Sequence, residues 1–202
     1  MKFGPKYKIA RKVGAPVFEK TQTQKFAMRD AKRKAARTSK PRAKSDYGLR
    51  MLEKQKARYS YGLGERQFSN YVKQAVASKT DSAQMLLSTL ESRLDNAVTR
   101  SGLVSTRAFG RQIVTHGHVL VNGKKTSFPS FLVKVGDKIS IREGSKKSPM
   151  FTNLDEKMKS YNLPAWLKFN PEAREWEVQG IPTIAKSDIL FNIEVVLEFY
   201  SR

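Results

Sequence analysis

The sequence predicts an α+β protein: a basic N-terminal arm, an all-helical domain, and helices packed on a small, mainly antiparallel sheet. Three observations carry that prediction. Apolar residues recur with a helical period through the middle of the chain. The period changes to alternation around an Asn122-Gly123 turn. Positive charge is concentrated toward the front.

Residues 1–45 hold 15 Lys+Arg against two acids. Phe3, Ile9, Val13, Val17 and Phe18 show no sustained period there. Residues 26–37 are rich in helix formers but lack a continuous apolar face, and Pro41 punctuates them. A basic arm ordered by a polyanion is expected, with a solvated tail as the alternative.

The character changes at Ser45-Asp46-Tyr47-Gly48. Asp46 predicts the N-cap of a helix through about Tyr59, which Tyr61-Gly62-Leu63-Gly64 breaks. Phe68, Tyr71, Val72, Ala75 and Val76 then follow i, i+3, i+4, i+7, i+8, with Arg66, Lys73 and Lys79 on the other face. Asp81 or Ser82 caps a further helix with the stripe Leu86, Leu90, Leu94 and Ala97-Val98, stopped by Gly102. Ser105 caps another, from Thr106 to His116, ended by Gly117.

His118-Val119-Leu120-Val121 then alternates into Asn122-Gly123, with Lys124-Lys125-Thr126 returning. Val133, Val135, Ile139 and Ile141 are expected on one face of later strands, with Gly136-Asp137 as a turn. Lys146-Lys147-Ser148-Pro149 reads as a basic linker. Trp166-Leu167-Lys168-Phe169 and Trp176-Glu177-Val178 read as a strand pair about the turn Asn170-Pro171-Glu172-Ala173. Residues 193–200 are apolar and β-prone. The expected organisation is an extension at 1–45, a helical domain at 46–91 on which 187–202 packs back, and a module with an appended β region at 92–186.

The 202 residues carry 39 Lys+Arg and 18 Asp+Glu, a net charge of +21. The charge is +13 over residues 1–50, +3 over 51–100, +7 over 101–150 and −2 over the remainder. Such a surface attracts a polyanion and releases its counterions; an anionic membrane face is the other option. No apolar run is long enough to span a bilayer. No apolar segment follows Met1-Lys2-Phe3-Gly4-Pro5, and there is no cysteine, so a cytoplasmic protein is expected. The lack of cysteine excludes disulfides and Cys-liganded zinc, and two histidines, His116 and His118, leave little for His-based catalysis.

The polar residues between 92 and 125 share a plausible role in holding phosphates. Arg107 and Arg111 lie four apart on one helix face. Gln112 extends that surface, and the free N–H groups near Ser105 and Thr106 suit an anion. The Asn122-Gly123 turn admits close backbone approach, with Lys124 and Lys125 beside it. Arg93 and Asp95 lie on the preceding helix, where Asp95 is suited to orient an arginine.

The stretch 90–143 resembles the S-four (alpha-L) RNA-binding module through Arg93-Leu94-Asp95-Asn96, Thr106-Arg107-Ala108, Arg111-Gln112, Val121-Asn122-Gly123 and Val135-Gly136-Asp137. The flanks resemble the small-subunit ribosomal protein S-four family: Gly4-Pro5-Lys6-Tyr7-Lys8, Ser45-Asp46-Tyr47-Gly48, Glu53-Lys54-Gln55-Lys56, Tyr61-Gly62-Leu63, Glu65-Arg66-Gln67-Phe68 and Val196-Leu197-Glu198-Phe199-Tyr200-Ser201-Arg202. That resemblance implies a structural protein of the small subunit that nucleates assembly at a helical junction in the 5′ domain of the small-subunit rRNA. It implies a place near the channel through which mRNA enters, support of translational accuracy, contact with ribosomal protein S-five and other small-subunit proteins, and in some members repression of the protein's own operon.

Carried onto this chain, the RNA contacts fall on Arg93, Ser105, Thr106, Arg107, Arg111, Gln112, His116, Asn122, Gly123, Lys124 and Lys125. Others fall on Tyr47, Lys54, Lys56, Arg58, Arg66 and Lys73 in the preceding helices. No cofactor, metal or small-molecule substrate is implied. Two departures stand out. The cysteine-rich zinc site of many members is absent, and Phe109-Gly110 replaces the commoner Glu-Ala.

The competing reading is an RNA-modifying enzyme, or a tRNA-binding protein, built on the same module. The enzyme needs a catalytic constellation, and the sequence holds no phosphate-cradling G-x-x-x-x-G-K-[ST] loop, no H-E-x-x-H and no cysteine nucleophile. Asp155-Glu156, Glu175 and Glu177 have no partner groups and read as surface charge.

Overall fold

In the computed structural model, which describes residues 3–36, 38, 43–78, 81–151, 154–184 and 188–201, the chain divides into two units. Met1–Leu86 with Ala185–Arg202 form the first, and Leu87–Ile184 the second. The features read at Arg37, Pro41, Lys79 and Arg202 lie outside the described residues, as does the side chain of Asp155.

In chain order the helices of the front half are α1 (Lys6–Val13), α2 (Gln24–Ala35), α3 (Asp46–Ser60), α4 (Glu65–Ala77), α5 (Ser82–Glu91), α6 (Leu94–Arg100) and α7 (Arg107–Thr115). Then come β1 (Val119–Val121), β2 (Lys124–Lys125), β3 (Lys138–Ile141), α8 (Glu143–Lys146), α9 (Leu154–Ser160), β4 (Leu167–Asn170), β5 (Glu175–Val178) and α10 (Ile193–Tyr200).

In the first unit, the scattered apolar residues of the N-terminal segment gather into one cluster. Val13, Val17 and Phe18 are buried and pack with Phe3, Ile9 and, from α3, Leu52 and Tyr59. The Phe3 ring meets Tyr59 edge-on at 5.3 Å and lies 6.0 Å from Phe18. These residues come from a helix end, a turn and a 3-10 segment (Glu19–Thr21), which is why no single period unites them. α2 stacks Phe26 on Tyr7 of α1 at 5.6 Å, with Arg11 over the same Phe26 ring.

α3 begins one residue earlier than the sequence suggests. The Ser45 hydroxyl accepts from the Gly48 N–H at 3.2 Å, and Asp46 sits in the first turn. Phe68, Tyr71, Val72 and Ala75 of α4 are buried, whereas Val76 is exposed.

Residues 193–200, read as β-prone, form helix α10. The Asn192 side-chain oxygen accepts from the N–H groups of Glu194 and Val195, supplying an N-cap. Docking on α3 then overrides strand propensity: Arg50 pairs with Glu198 at 3.0 Å, and the Asn192 N–H donates to Glu53 Oε2 at 2.8 Å.

In the second unit, the stripe running through Leu90, Leu94 and Val98 is divided between α5 and α6 at Ser92-Arg93. The segment 129–133 takes over the backbone hydrogen bonds there. Val133 N–H donates to Ser92 O, Leu94 N–H to Phe131 O and Asp95 N–H to Pro129 O. A helix cannot continue where its amides and carbonyls are engaged by another strand-like segment.

α7 is capped by the Thr106 hydroxyl, which accepts from Phe109 N–H at 3.2 Å; Ser105, the expected cap, is exposed. The sheet is antiparallel throughout, in the order β2-β1-β3-β5-β4. It buries Val119, Ile139, Ile141, Trp176 and Val178 against Val98, Ile113 and Val114. Val135, expected on the inner face, is exposed because the chain turns there, with Gly136 at φ +90°. The expected linker at 146–149 instead begins with the last residue of α8 and lies within this unit.

Candidate nucleic-acid interface

α6 and α7 lie side by side in the second unit, and Gly110 is where they touch. A Cβ on Gly110 would stand 2.7 Å from Asp95 O and 2.7 Å from Thr99 Oγ1. Gly110 is therefore the contact that brings α7 close to the first turn of α6.

That closeness lets buried acids hold the arginines of α7. Asp95 is almost fully buried. Its Oδ1 accepts from Arg93 Nε at 3.0 Å and its Oδ2 from Arg93 Nη2 at 2.7 Å. The same Oδ2 accepts from Arg111 Nε at 2.9 Å and Nη2 at 2.6 Å. One turn away, Arg107 Nε donates to Asn96 Oδ1 at 2.7 Å. Asn96 is anchored in turn by Glu91, which is fully buried and also receives Arg100 Nε at 3.0 Å. Arg107 and Arg111 are thus fixed from behind while remaining partly exposed. Asp95 orients an arginine, as its position suggested.

Arg93, included among the sequence candidates, is only 2% exposed and its guanidinium fork is spent on Asp95. It supports Arg111 through their common carboxylate and does not itself reach solvent. Ser105, Gln112 and His116 are exposed around α7, while Thr106 caps it.

The hairpin is drawn toward the end of the same helix. Asn122 and Gly123 have φ of +50° and +75°, the left-handed pair that a two-residue turn requires. Asn122 is braced rather than free: its amide nitrogen donates to Asp137 Oδ1 at 2.8 Å and its oxygen accepts from Lys138 N–H at 2.9 Å. Lys124 and Lys125 are exposed. The stem of Lys125 crosses Gly117, where a Cβ would collide with Lys125 Cε.

The six candidates of the first unit separate into two groups. Tyr47, Arg66 and Lys73 are exposed. Lys54, Lys56 and Arg58 are engaged internally. Lys54 is 8% exposed, donates to Glu65 Oε1 at 2.8 Å and lies over the Phe199 ring at 4.6 Å. Arg58 donates to Gln55, pairs with Glu65 at 3.4 Å and lies over Tyr59; Lys56 donates to Glu53.

Glu65 also accepts from the Tyr200 hydroxyl at 2.8 Å. Burial pushes the Glu65 carboxyl up, but the hydrogen bonds from Lys54 and Tyr200 and the charges of Lys54 and Arg58 outweigh it. Its pKa lies below the ordinary value. Burial and the hydrogen bond to Glu65 push the Tyr200 phenol well up.

A groove that sequence reasoning missed lies between α1 and α2. It has a volume of about 670 Å³ and is lined by Lys8, Arg11, Lys12, Asp30, Arg33, Lys34 and Ala36. Asp30 pairs with Lys34 at 2.8 Å and lies 3.6 Å from Arg11. The signal was present as Lys8 and Lys12 four apart on α1 and Asp30 and Lys34 four apart on α2, obscured by the charge of the whole segment. Among the described residues no group of three or more His, Asp or Glu side chains is placed to hold a metal ion, and no helix is long and apolar enough to cross a membrane.

Comparison with known proteins gives concordant results. Residues 2–91 match the family described as ribosomal protein S4/S9 N-terminal domain, and residues 92–139 match the S4 domain. Small ribosomal subunit protein uS4 of Roseiflexus castenholzii is 41% identical over 201 residues, 98% of either chain. Its counterpart in Aquifex aeolicus is 39% identical over 208 residues, covering 98% of this chain and 97% of the other. That of Cutibacterium acnes is 43% identical over 158 residues, 78% and 79% of the two chains.

Proposed function

The chain belongs to the uS4 family of small ribosomal subunit proteins, and from that premise we propose that it grips a helical junction in the 5′ domain of the small-subunit rRNA and helps to nucleate subunit assembly. It is a ribosomal RNA-binding protein rather than an enzyme. The observation that carries the finer reading is the pair Arg107 and Arg111, held in fixed directions by Asn96 and Asp95 on the face of α7.

Arginines fixed from behind lose little freedom on meeting phosphate oxygens, which lowers the cost of ordering them. Lys124 and Lys125 on the hairpin add charge, and Ser105, Thr106, Gln112, His116 and the Asn122-Gly123 backbone complete the contact set. In the first unit, Tyr47, Arg66 and Lys73 are contacts. Lys54, Lys56 and Arg58 act chiefly by holding α3, α4 and α10 in place. Recognition is positional, through backbone and shape, as at most folded RNA sites.

On the same premise the protein lies beside the channel through which mRNA enters the subunit, supports accurate decoding, and contacts ribosomal protein S-five and other small-subunit proteins. Repression of its own operon would use the same phosphate-binding surface on a messenger that imitates the junction. The protein works on cytoplasmic ribosomes.

The test is a filter-binding titration of the full chain against a transcript of the 5′ domain and against an unrelated structured RNA of equal length. Retention of the domain transcript at salt that releases the other supports the reading. Equal release of both overturns it.

A further inference from the structure

Residues 126–136 join the basic hairpin to β3 and expose four large apolar side chains: Phe128 (71% exposed), Phe131 (38%), Leu132 (40%) and Val135 (58%). Exposed aromatic residues on loops are ordinarily mobile and weakly placed. This one is not. Phe131 N–H donates to Phe128 O at 3.0 Å, closing a turn. That turn is tied to α6 at two points, by Leu94 N–H to Phe131 O at 2.8 Å and by Asp95 N–H to Pro129 O at 3.2 Å. Asp95 therefore fixes the turn with its backbone and Arg111 with its carboxylate. One residue sets both the aromatic turn and a phosphate-binding arginine.

The flanking sequence is cationic. Between residues 120 and 142 the chain carries Lys124, Lys125, Lys134, Lys138 and Arg142 against the single acid Asp137. Both Asp137 oxygens are occupied, by Asn122 and by the Lys134 N–H. The four lysines are exposed. Lysine is depleted at the centres of protein–protein contacts, whereas an exposed aromatic side chain on a tied turn, within a basic stretch of chain, suits an unstacked base whose phosphates are neutralised.

We propose that Phe128 is a stacking platform for one unpaired base of the RNA that this protein binds, placed by Asp95 in register with Arg111. The inference rests on the RNA-binding reading above and adds to it the class of nucleotide recognised. An unpaired base is required because a base inside a helix offers no free face. The contact selects for local single-strandedness rather than for base identity, since every base has a π-face.

The test uses the full chain, a transcript of the small-subunit 5′ domain, and the variants Phe128→Ala, Phe128→Leu, Phe128→Tyr and Phe128→Trp. Phe128→Ala is expected to weaken binding by about 5- to 150-fold, the range seen for loss of one base–aromatic stack. The salt slope should not change, because no phosphate contact is lost. Phe128→Tyr should retain affinity and Phe128→Leu should lose it. Phe128→Trp should lose fluorescence on binding, against the constant background of the buried Trp166 and Trp176.

Full affinity in Phe128→Leu, or no loss in Phe128→Ala while Arg111→Ala is weakened, overturns the platform and leaves the RNA-binding reading standing. No loss in either Phe128→Ala or Arg111→Ala overturns that reading as well. Variants that bind naked RNA normally but are excluded from subunits reconstituted with the other proteins would assign the patch to a protein partner, which also overturns the platform. Because the side chain is mostly exposed, thermal unfolding of Phe128→Ala should match the parent.

Discussion

Asp95 and Arg111 stand sixteen positions apart, and a single carboxylate oxygen, Asp95 Oδ2, accepts from both Nε and Nη2 of that arginine at 2.9 and 2.6 Å. The second guanidinium on the same carboxylate belongs to Arg93, which is buried. Removing the carboxylate leaves Arg93 charged, desolvated and without Asp95. Asp95→Ala is therefore expected to cost about 3–5 kcal/mol, the usual penalty for breaking a buried pair. Urea unfolding of the purified variant measures it. A loss within the scatter of surface substitutions would show that the pair carries no structural load.

Gly110→Ala separates helix propensity from packing. Propensity alone favours alanine by about 1 kcal/mol. The new Cβ, however, meets Asp95 O and Thr99 Oγ1 at 2.7 Å, and one of these is backbone that cannot swing away. Overpacking costs about 1–3 kcal/mol, so after the gain in propensity the variant should be less stable than the parent by up to about 2 kcal/mol. Separation of α6 from α7 would also turn Arg111 away from Asp95, so RNA affinity should fall with stability. A rise in melting temperature would contradict the argument.

Arg107→Ala and Arg111→Ala are expected to weaken binding to the 5′-domain transcript and to reduce the steepness of log K against log salt by about 0.7–0.9 each. Both arginines are partly exposed, so the fold should survive. Arg93→Ala should instead destabilise the second unit, because its side chain is internal. Affinity measured at four salt concentrations distinguishes the two kinds of arginine, which sequence spacing alone did not.

The boundary between what sequence revealed and what it hid follows the range of the interactions. The helical stripe of α4, the Asn122-Gly123 hairpin and the strand pair about 170–173 depend on neighbours a few residues away, and each was legible. Three features were not. The break at Ser92-Arg93 is imposed by residues 129–133, about forty positions later. α10 looked like a strand because Ile193, Val195, Val196 and Phe199 favour one, yet its conformation is set by Asn192 and by α3. The packing of the N-terminal segment depends on Tyr59. For the candidate interface, the spacing of Arg107 and Arg111 and the left-handed Asn122-Gly123 turn were readable. Which cations face solvent was not: Lys54 and Arg93 carry the same charge as Lys73 and Arg107 but are buried against acids.

The Glu65 cluster predicts a pH dependence with a definite sign. A carboxyl whose folded pKa is below its ordinary value of 4.5 adds stability that is fully present above that value. The contribution is lost as pH falls through the lowered folded value. Helix α10 should therefore loosen from α3 and α4 in acid, and Glu65→Gln should flatten the acid limb of the urea midpoint plotted against pH. Tyr200 works in the other direction. Its raised pKa makes its contribution complete below the ordinary value of 10.0, with loss only as pH rises beyond it. Tyr200→Phe should remove any alkaline limb in that range. Identical acid limbs in Glu65→Gln and the parent would mean that other carboxylates govern acid loosening.

The N-terminal segment tests the weight of aromatic packing. With no cysteine in the chain, a Cys-liganded zinc cannot order it. The structure supplies Phe3, Phe18 and Tyr59 in mutual ring contact at 5.3 to 6.1 Å around Val13 and Val17. A chelator should leave the helical circular dichroism and the melting temperature of the purified chain unchanged. Phe18→Ala should cost about 3–5 kcal/mol, as truncation of a buried ring does. It should also expose the segment containing α1 and α2 to protease before the second unit is cut. The protease distinguishes the causes: a core held by aromatic packing fails locally when one ring is removed and is indifferent to metal. If the chelator alone released the segment, a ligand set other than cysteine would have to be holding it.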